Sequence, residues 1–312
     1  MQSSLLDAIR PIGALGVHMF FALSGFLITY RLLEEFEQTQ EVDLPGFYWR
    51  RARRILPPAM IYLSVLALLG PGLHVFQTSF QEIWASLLFY RNLYQPPMPG
   101  AWNTAHFWTL SLEEQFYLFY PSVLVLLGPT RRRTVWVTLG MIIACALWRV
   151  HVQKVDPAAN IYRPDLLADH LLWGCLFGLC WRDMQAHFSR RARVWAGLVG
   201  IPTATILIYW EPPYWQPFFA LCVALGFILS AEAAQGWAAR LTAFQTLGKA
   251  SYDCYIWQSL FLPLPLIGLA MPVWQRVPWA YAGIALVTAF SYLLTFPRRR
   301  LAGLDLPARS SR

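Results

Sequence analysis

Apolar residues along the chain collect into runs of roughly 18 to 22 positions, separated by short polar, proline-rich or arginine-rich breaks. A helix rises about 1.5 Å per residue and needs about 20 apolar residues to cross the hydrocarbon core of a bilayer. The pattern therefore predicts membrane-spanning helices at 12–31, 58–75, 107–128, 134–151, 166–182, 194–210, 215–233, 250–270 and 278–296. The shorter, alternating segments of a transmembrane β-barrel do not occur. The expected fold is all-α, a polytopic transmembrane helical bundle of about nine spans.

The breaks carry a sidedness signal. Arginines cluster after the first run (Arg50, Arg51, Arg53, Arg54), the third (Arg131, Arg132, Arg133), the fifth (Arg182, Arg190, Arg191, Arg193) and the ninth (Arg298, Arg299, Arg300). Those clusters are separated by even numbers of spans, so all can face the cytoplasm. The loops at 95–102 and 211–217 are rich in Pro and Trp and nearly uncharged. The segment 83–93 is apolar but short and carries Arg91, so it reads as re-entrant or interfacial rather than spanning. Nine spans ending inside put the start of the chain outside, and one further upstream helix would restore an inside start. No internal repeat is visible, and the longest polar stretch, 34–49, reads as a loop. The chain is expected to be one membrane domain over 1–300 with a short cytoplasmic tail at 301–312.

Composition agrees with this reading. Of 312 residues 57% are hydrophobic and 13% charged, about half the charge of a soluble domain. The net charge of +8 would suggest nucleic acid in a soluble chain. Here the basic residues stand beside the ends of apolar runs, where topology explains them, and no nucleic-acid partner is expected. Cys145, Cys175, Cys180, Cys222 and Cys254 all lie in apolar runs with no CxxC pair, so they read as small core residues without disulfide or metal roles. Residues 1–10 lack the pattern of a secretory signal peptide.

Four stretches carry chemistry. In 47–57, four arginines within five positions end at Pro57 and Pro58, which suit the first turn of a following helix. The cluster reads as a topology anchor or as an anion site, since guanidinium keeps its charge and its planar fork matches phosphate. In 106–117, Glu113 and Glu114 lie two turns inside an apolar run, an expensive place for carboxylates. His106 and Glu113 share one helix face roughly 10 Å apart, with Ser111 and Glu114 on a neighbouring face. This block reads as a hydrogen-bonded staple between helices or as acid/base chemistry in a polar cavity. In 163–174, Asp165 and Asp169 share a face, Asp165 as a helix-start cap, with His170 beside them. In 247–258, Ser251, Asp253 and Gln258 interrupt an apolar span. His18 in the first run reads as a structural hydrogen-bonder.

The signatures GVHMFFALSGFLIT (16–29), FYWRRARRILP (47–57), HFWTLSLEEQFYLFYP (106–121), ADHLLWG (168–174) and LGKASYDCYIW (247–257) together resemble the acyltransferase-3 family. These are membrane enzymes that O-acylate sugars of bacterial surface polysaccharides, antibiotics and similar glycans. The resemblance implies about ten transmembrane helices in the cytoplasmic membrane and an acyl-coenzyme A co-substrate, usually acetyl-CoA, engaged from the cytoplasm. No resident cofactor or metal is implied. The acceptor is a hydroxyl of a glycan or lipid-linked sugar, and the lipid bilayer is the other partner. Arg50, Arg51 and Arg54 occupy the family's donor-anchoring Arg positions, and Ser111, Glu113 and Glu114 its Ser/Glu block. Asp169 and Trp108 are the candidate substrate contacts.

The chain also departs from the family pattern. The family's first helix, with its Arg and catalytic His, is not matched, and His18 falls in the second-helix motif. Thr109 stands where Ser is more usual, Gln258 where His is frequent, and the 295–301 segment TFPRRRL lacks an acidic residue before its Pro. His106 is then the candidate base. The leading expectation is an O-acyltransferase. A transporter or flippase without covalent chemistry, and a truncated inactive relative acting as a partner subunit, are the alternatives.

Overall fold

The computed structural model describes residues 3–69, 78–94, 102–127, 131–207, 218–226, 228–229, 242–261, 282–283 and 285–294. Among them there are helices and turns and no strand. In chain order the helices are α1 (Ser3–Thr39), α2 (Leu44–Leu69), α3 (Phe80–Leu87), α4 (Trp102–Ala105), α5 (Phe107–Leu127), α6 (Arg131–Val155), α7 (Pro164–His187), α8 (Arg190–Leu207), α9 (218–226), α10 (Thr242–Phe261) and α11 (Ala285–Leu294). In each of the nine predicted runs the described residues are helical.

Three helices among the described residues are long and apolar enough to cross a membrane on those two grounds alone: the Leu15–Thr39 part of α1, Leu44–Leu69, and Arg132–Val155. The count of nine is not reached among the described residues: the runs 194–210, 215–233, 250–270 and 278–296 lie partly outside them, and others carry charge. α5 has a polar block from Ser111 to Gln115 in its first half, α7 carries Asp165, Asp169, Arg182 and Asp183, and α8 opens with Arg190, Arg191 and Arg193. The predicted loop at 34–49 shrinks to 40–43, because α1 continues to Thr39 and α2 begins at Leu44. Pro57 and Pro58 consequently lie inside α2 and not in its first turn. α3 is only eight residues long, too short to span, which suits the short-segment reading of 83–93. Its start is fixed by a capping box: Glu82 N donates to the Ser79 hydroxyl and Ser79 N donates to the Glu82 carboxylate.

Solvation is reversed relative to a water-soluble fold. Large apolar side chains point outward, with Leu126 84% and Leu68 80% exposed and Phe119, Leu147 and Trp195 close behind. Charged and polar ones are packed inside, among them Glu113, Arg149, Asp169, His170 and Asp253. An outward apolar surface around a polar interior needs a hydrocarbon solvent. This is an integral membrane protein.

The chain forms two compact units, each assembled from separated segments. The first comprises Met1–Leu44 and Trp108–Gln235. In it α1 and α7 run in the same direction and approach closely through glycines. A Cβ on Gly174 would collide with the Ala22 carbonyl oxygen, and one on Gly25 with that of Leu171. Gly178 lies against Phe26 and Thr29 of α1. Small residues are what allow two membrane helices to come this near. Arg182 of α7 pairs with Glu37 at the far end of the seam. α6 packs antiparallel to α7, and Arg193 of α8 donates to Phe188 O just past the C-terminus of α7. A core of Ala22, Phe177, Trp181, Ala204 and Phe219 joins α1, α7, α8 and α9.

The second unit comprises Pro45–Phe107 and Gly236–Arg312. α2 and α10 run in the same direction within it. Tyr252 OH donates to Ile55 O at 3.0 Å, and the rings of Tyr62 and Trp257 meet edge to face at 5.4 Å. Tyr62 OH also donates to Asn103 O, which ties α2 to α4. Arg91, buried, donates to the Thr104 hydroxyl and lies 3.8 Å from the Glu82 carboxylate.

Candidate functional site

The arginine cluster lies within α2, not in a loop before it. At 3.6 residues per turn Arg50, Arg51 and Arg54 fall within an arc of about 100°, with Arg53 about 60° to one side. Arg50, Arg53 and Arg54 are exposed and Arg51 is half-buried. The Arg51 guanidinium lies 6.0 Å from the Phe47 ring centroid and that of Arg53 5.9 Å from Trp49, contacts that hold the stems against the helix. The arc sets several planar forks on one side of the helix.

The Ser/Glu block is on the first turns of α5. Ser111 and Glu113 are buried and Glu114 is half-buried. Tyr117, one turn on, donates its hydroxyl to Glu113 Oε1 at 3.0 Å. Trp108 packs against Phe21 of α1 at 5.9 Å and Tyr162 at 4.5 Å. Its indole is half-buried, an aromatic face of the kind that stacks on sugars or sits at an interface.

Asp169 is wholly buried, and its partners come from across the α6–α7 hairpin. Arg149 of α6 pairs with Asp169 Oδ1 and also donates to Leu166 O. His170 Nδ1 lies 3.1 Å from the same oxygen. His18 of α1 stacks on His170 with ring centroids 4.3 Å apart. Asp169 Oδ2, Arg149 Nη1, His170 Nε2 and His18 Nδ1 are buried without a hydrogen-bond partner. Asp165, expected to share a face with Asp169, does so, but it is no cap: Arg163 is the residue at that position. The Asp165 carboxylate instead takes bonds from Arg163 and from Trp148 Nε1.

His106 departs from the expected geometry. It is a turn residue between α4 and α5, so it shares no helix face with Glu113. Its ring faces α10, where Nε2 lies 3.1 Å from Ile256 O and Nδ1 2.8 Å from Ser259 Oγ. Tyr255 OH donates to the His106 backbone oxygen, and Tyr62 meets the ring edge to face at 5.6 Å. His106 therefore belongs with the arginine cluster in the second unit, whereas Trp108, Ser111, Glu113, Glu114 and Asp169 belong to the first. Among the described residues no group of three His, Cys, Asp or Glu side chains is arranged to hold a metal.

Residues 2–296 match the family described as Acyltransferase domain, acyltransferase-3. The chain belongs to that family. Curated relatives of this acyltransferase-3 chain include a peptidoglycan O-acetyltransferase OatA of Listeria monocytogenes, 25% identical over 303 aligned positions that cover 85% of this chain and 48% of the relative. An O-acetyltransferase OatA of Staphylococcus aureus is 28% identical over 273 positions, 78% of this chain and 45% of the relative. The chain thus spans about half the length of the curated relatives it matches. No solved structure matches it.

Sequence reading of this acyltransferase-3 chain missed Arg149 and Ser259. Arg149 had a signal, a cation near the end of an apolar run, which ought to have an interior partner. Ser259 had none, since its partner is 153 residues away.

Proposed function

We propose that this chain is the membrane part of an O-acyltransferase that moves an acetyl or other short acyl group from acyl-coenzyme A to a hydroxyl of a glycan. The observation that carries this reading is the arc of Arg50, Arg51 and Arg54 on α2 within a chain of acyltransferase-3 sequence. Guanidinium groups on one helix face suit the several phosphates of such a donor. The relatives' names add the acceptor class, a cell-envelope glycan, and a bacterial cytoplasmic membrane is the matching location. Trp108 presents a half-buried aromatic face of the kind that stacks on a sugar ring. Ser111, Glu113 and Glu114 on α5 are the groups that hold or orient the reacting groups in this reading.

The test is transfer in proteoliposomes containing the purified chain, acetyl-labelled coenzyme A and peptidoglycan fragments. Label appearing as a hydroxylamine-labile ester on the glycan, with acetyl-coenzyme A consumed only when glycan is added, is the expected result. Folded protein that consumes no donor under any acceptor would overturn the reading, and a transporter would behave in that way.

A further inference from the structure

Resting on the acyl-transfer reading above, we infer that Ser259 is a nucleophile that carries the acyl group covalently, with His106 as its base. The pair is set up by hydrogen-bond bookkeeping alone. Ile256 O is a backbone carbonyl and can only accept, so His106 Nε2, 3.1 Å away, carries a proton. In the neutral ring Nδ1 is then the basic nitrogen, and it faces the Ser259 hydroxyl at 2.8 Å. A nucleophile bonded to a base, with the base oriented by a third group, is the arrangement covalent catalysis requires. Here a carbonyl takes the place of the orienting carboxylate. Tyr255 fixes the backbone beneath the ring, and Tyr62 fixes its edge. Both Ser259 and His106 are half-buried.

The position along α2 fits the donor as well. Tyr62, which touches His106, is eight residues past Arg54, a rise of about 12 Å. An acyl-coenzyme A has its phosphates and its thioester at opposite ends of a long flexible arm. Held by its phosphates at the arginine arc, it can extend that arm along α2 towards Ser259.

The chemistry closes in two steps. Ser259 Oγ adds to the thioester carbonyl carbon while its proton passes to His106 Nδ1. The carbon–sulfur bond breaks, the thiolate takes the proton from His106, and free thiol leaves an ester on Ser259. The acceptor's hydroxyl oxygen then attacks that ester, giving its proton to Nδ1. The bond to Ser259 Oγ breaks, and the serine recovers the proton as the new glycan ester departs.

The experiment uses the whole chain in proteoliposomes with labelled acetyl-coenzyme A. Without acceptor, wild-type protein should carry label on the peptide containing Ser259, and adding glycan should remove it. In S259C the label should become a thioester cleaved by neutral hydroxylamine. Ser259→Ala should lower glycan acetylation by at least about 10²-fold at unchanged melting temperature. Wild-type protein that transfers acetyl but carries no label on that peptide overturns this inference and leaves the function intact. So does an S259A protein with wild-type rate, the result expected if the bond merely fastens the 105–107 turn to α10. A wild-type protein that transfers nothing overturns both.

Discussion

At the scale of single residues, the decisive question is what each buried charge is paired with. Arg149 and Asp169 neutralise one another in the interior of the first unit. Removing one partner strands the other, a loss of about 3–5 kcal/mol. Asp169→Ala should therefore unfold well below the wild-type temperature in detergent, while Arg149→Met combined with Asp169→Leu recovers most of the loss. A double variant no better than the single one would show that the pair is not the source. Asp165 and Arg163, both more than a third exposed, should matter far less. Asp165→Asn is expected to cost under about 1 kcal/mol. On the proposed donor site, Arg51→Ala should abolish acyl transfer while insertion and melting temperature hold. Transfer that persists in that variant would remove Arg51 from the donor site. Glu113 and Asp169 were legible in the sequence because an acid inside an apolar run stands out. Their partners were not, since Arg149 reaches Asp169 only once a hairpin has folded, and Ser259 looks like any small polar residue in a helix.

At the scale of elements, glycine positions separate helix seams from lipid-facing surface. Gly174 sits where a Cβ would meet the backbone of α1, whereas nothing lies within 4 Å of a Cβ on Gly140. Gly174→Ala should lower the melting temperature by the equivalent of about 1–3 kcal/mol, since neither backbone can yield without shifting a helix. Gly140→Ala should be neutral or mildly stabilising, because alanine is the better helix former. Equal effects at the two sites would remove the close approach of α1 and α7 as the explanation. The described residues of each apolar run are helical, but the runs did not give the ends of the helices. Helix propensity and backbone hydrogen bonding carry α2 through its arginines, so the amphipathic start at Leu44 is invisible to a search for apolar runs. Proline inside α2 misled in the same way, being read as a beginning when the helix accommodates it four turns in.

At the scale of the whole molecule, arginine-rich breaks predict which ends of the helices face the cytoplasm, a proposal that labelling can check. In a cysteine-free background, Ala158→Cys, in the exposed loop between α6 and α7, should react with a membrane-impermeant maleimide on intact cells. Arg53→Cys should react only after permeabilisation. The reverse pattern would invert the orientation. The parallel pairs of helices have a further consequence of simple parity. Two membrane-crossing helices that point the same way must be joined by chain that crosses an odd number of times. Between α1 and α7 the sequence offers spans in α2, α5 and α6, which is three. Between α2 and α10 it offers α5, α6, α7, α8 and α9, which is five. Counting α3 as a crossing would make both totals even and leave each pair pointing opposite ways. If each predicted apolar run crosses once, the directions of the two helix pairs, each inside its own unit, are those of a chain whose eight-residue helix does not pass through the bilayer.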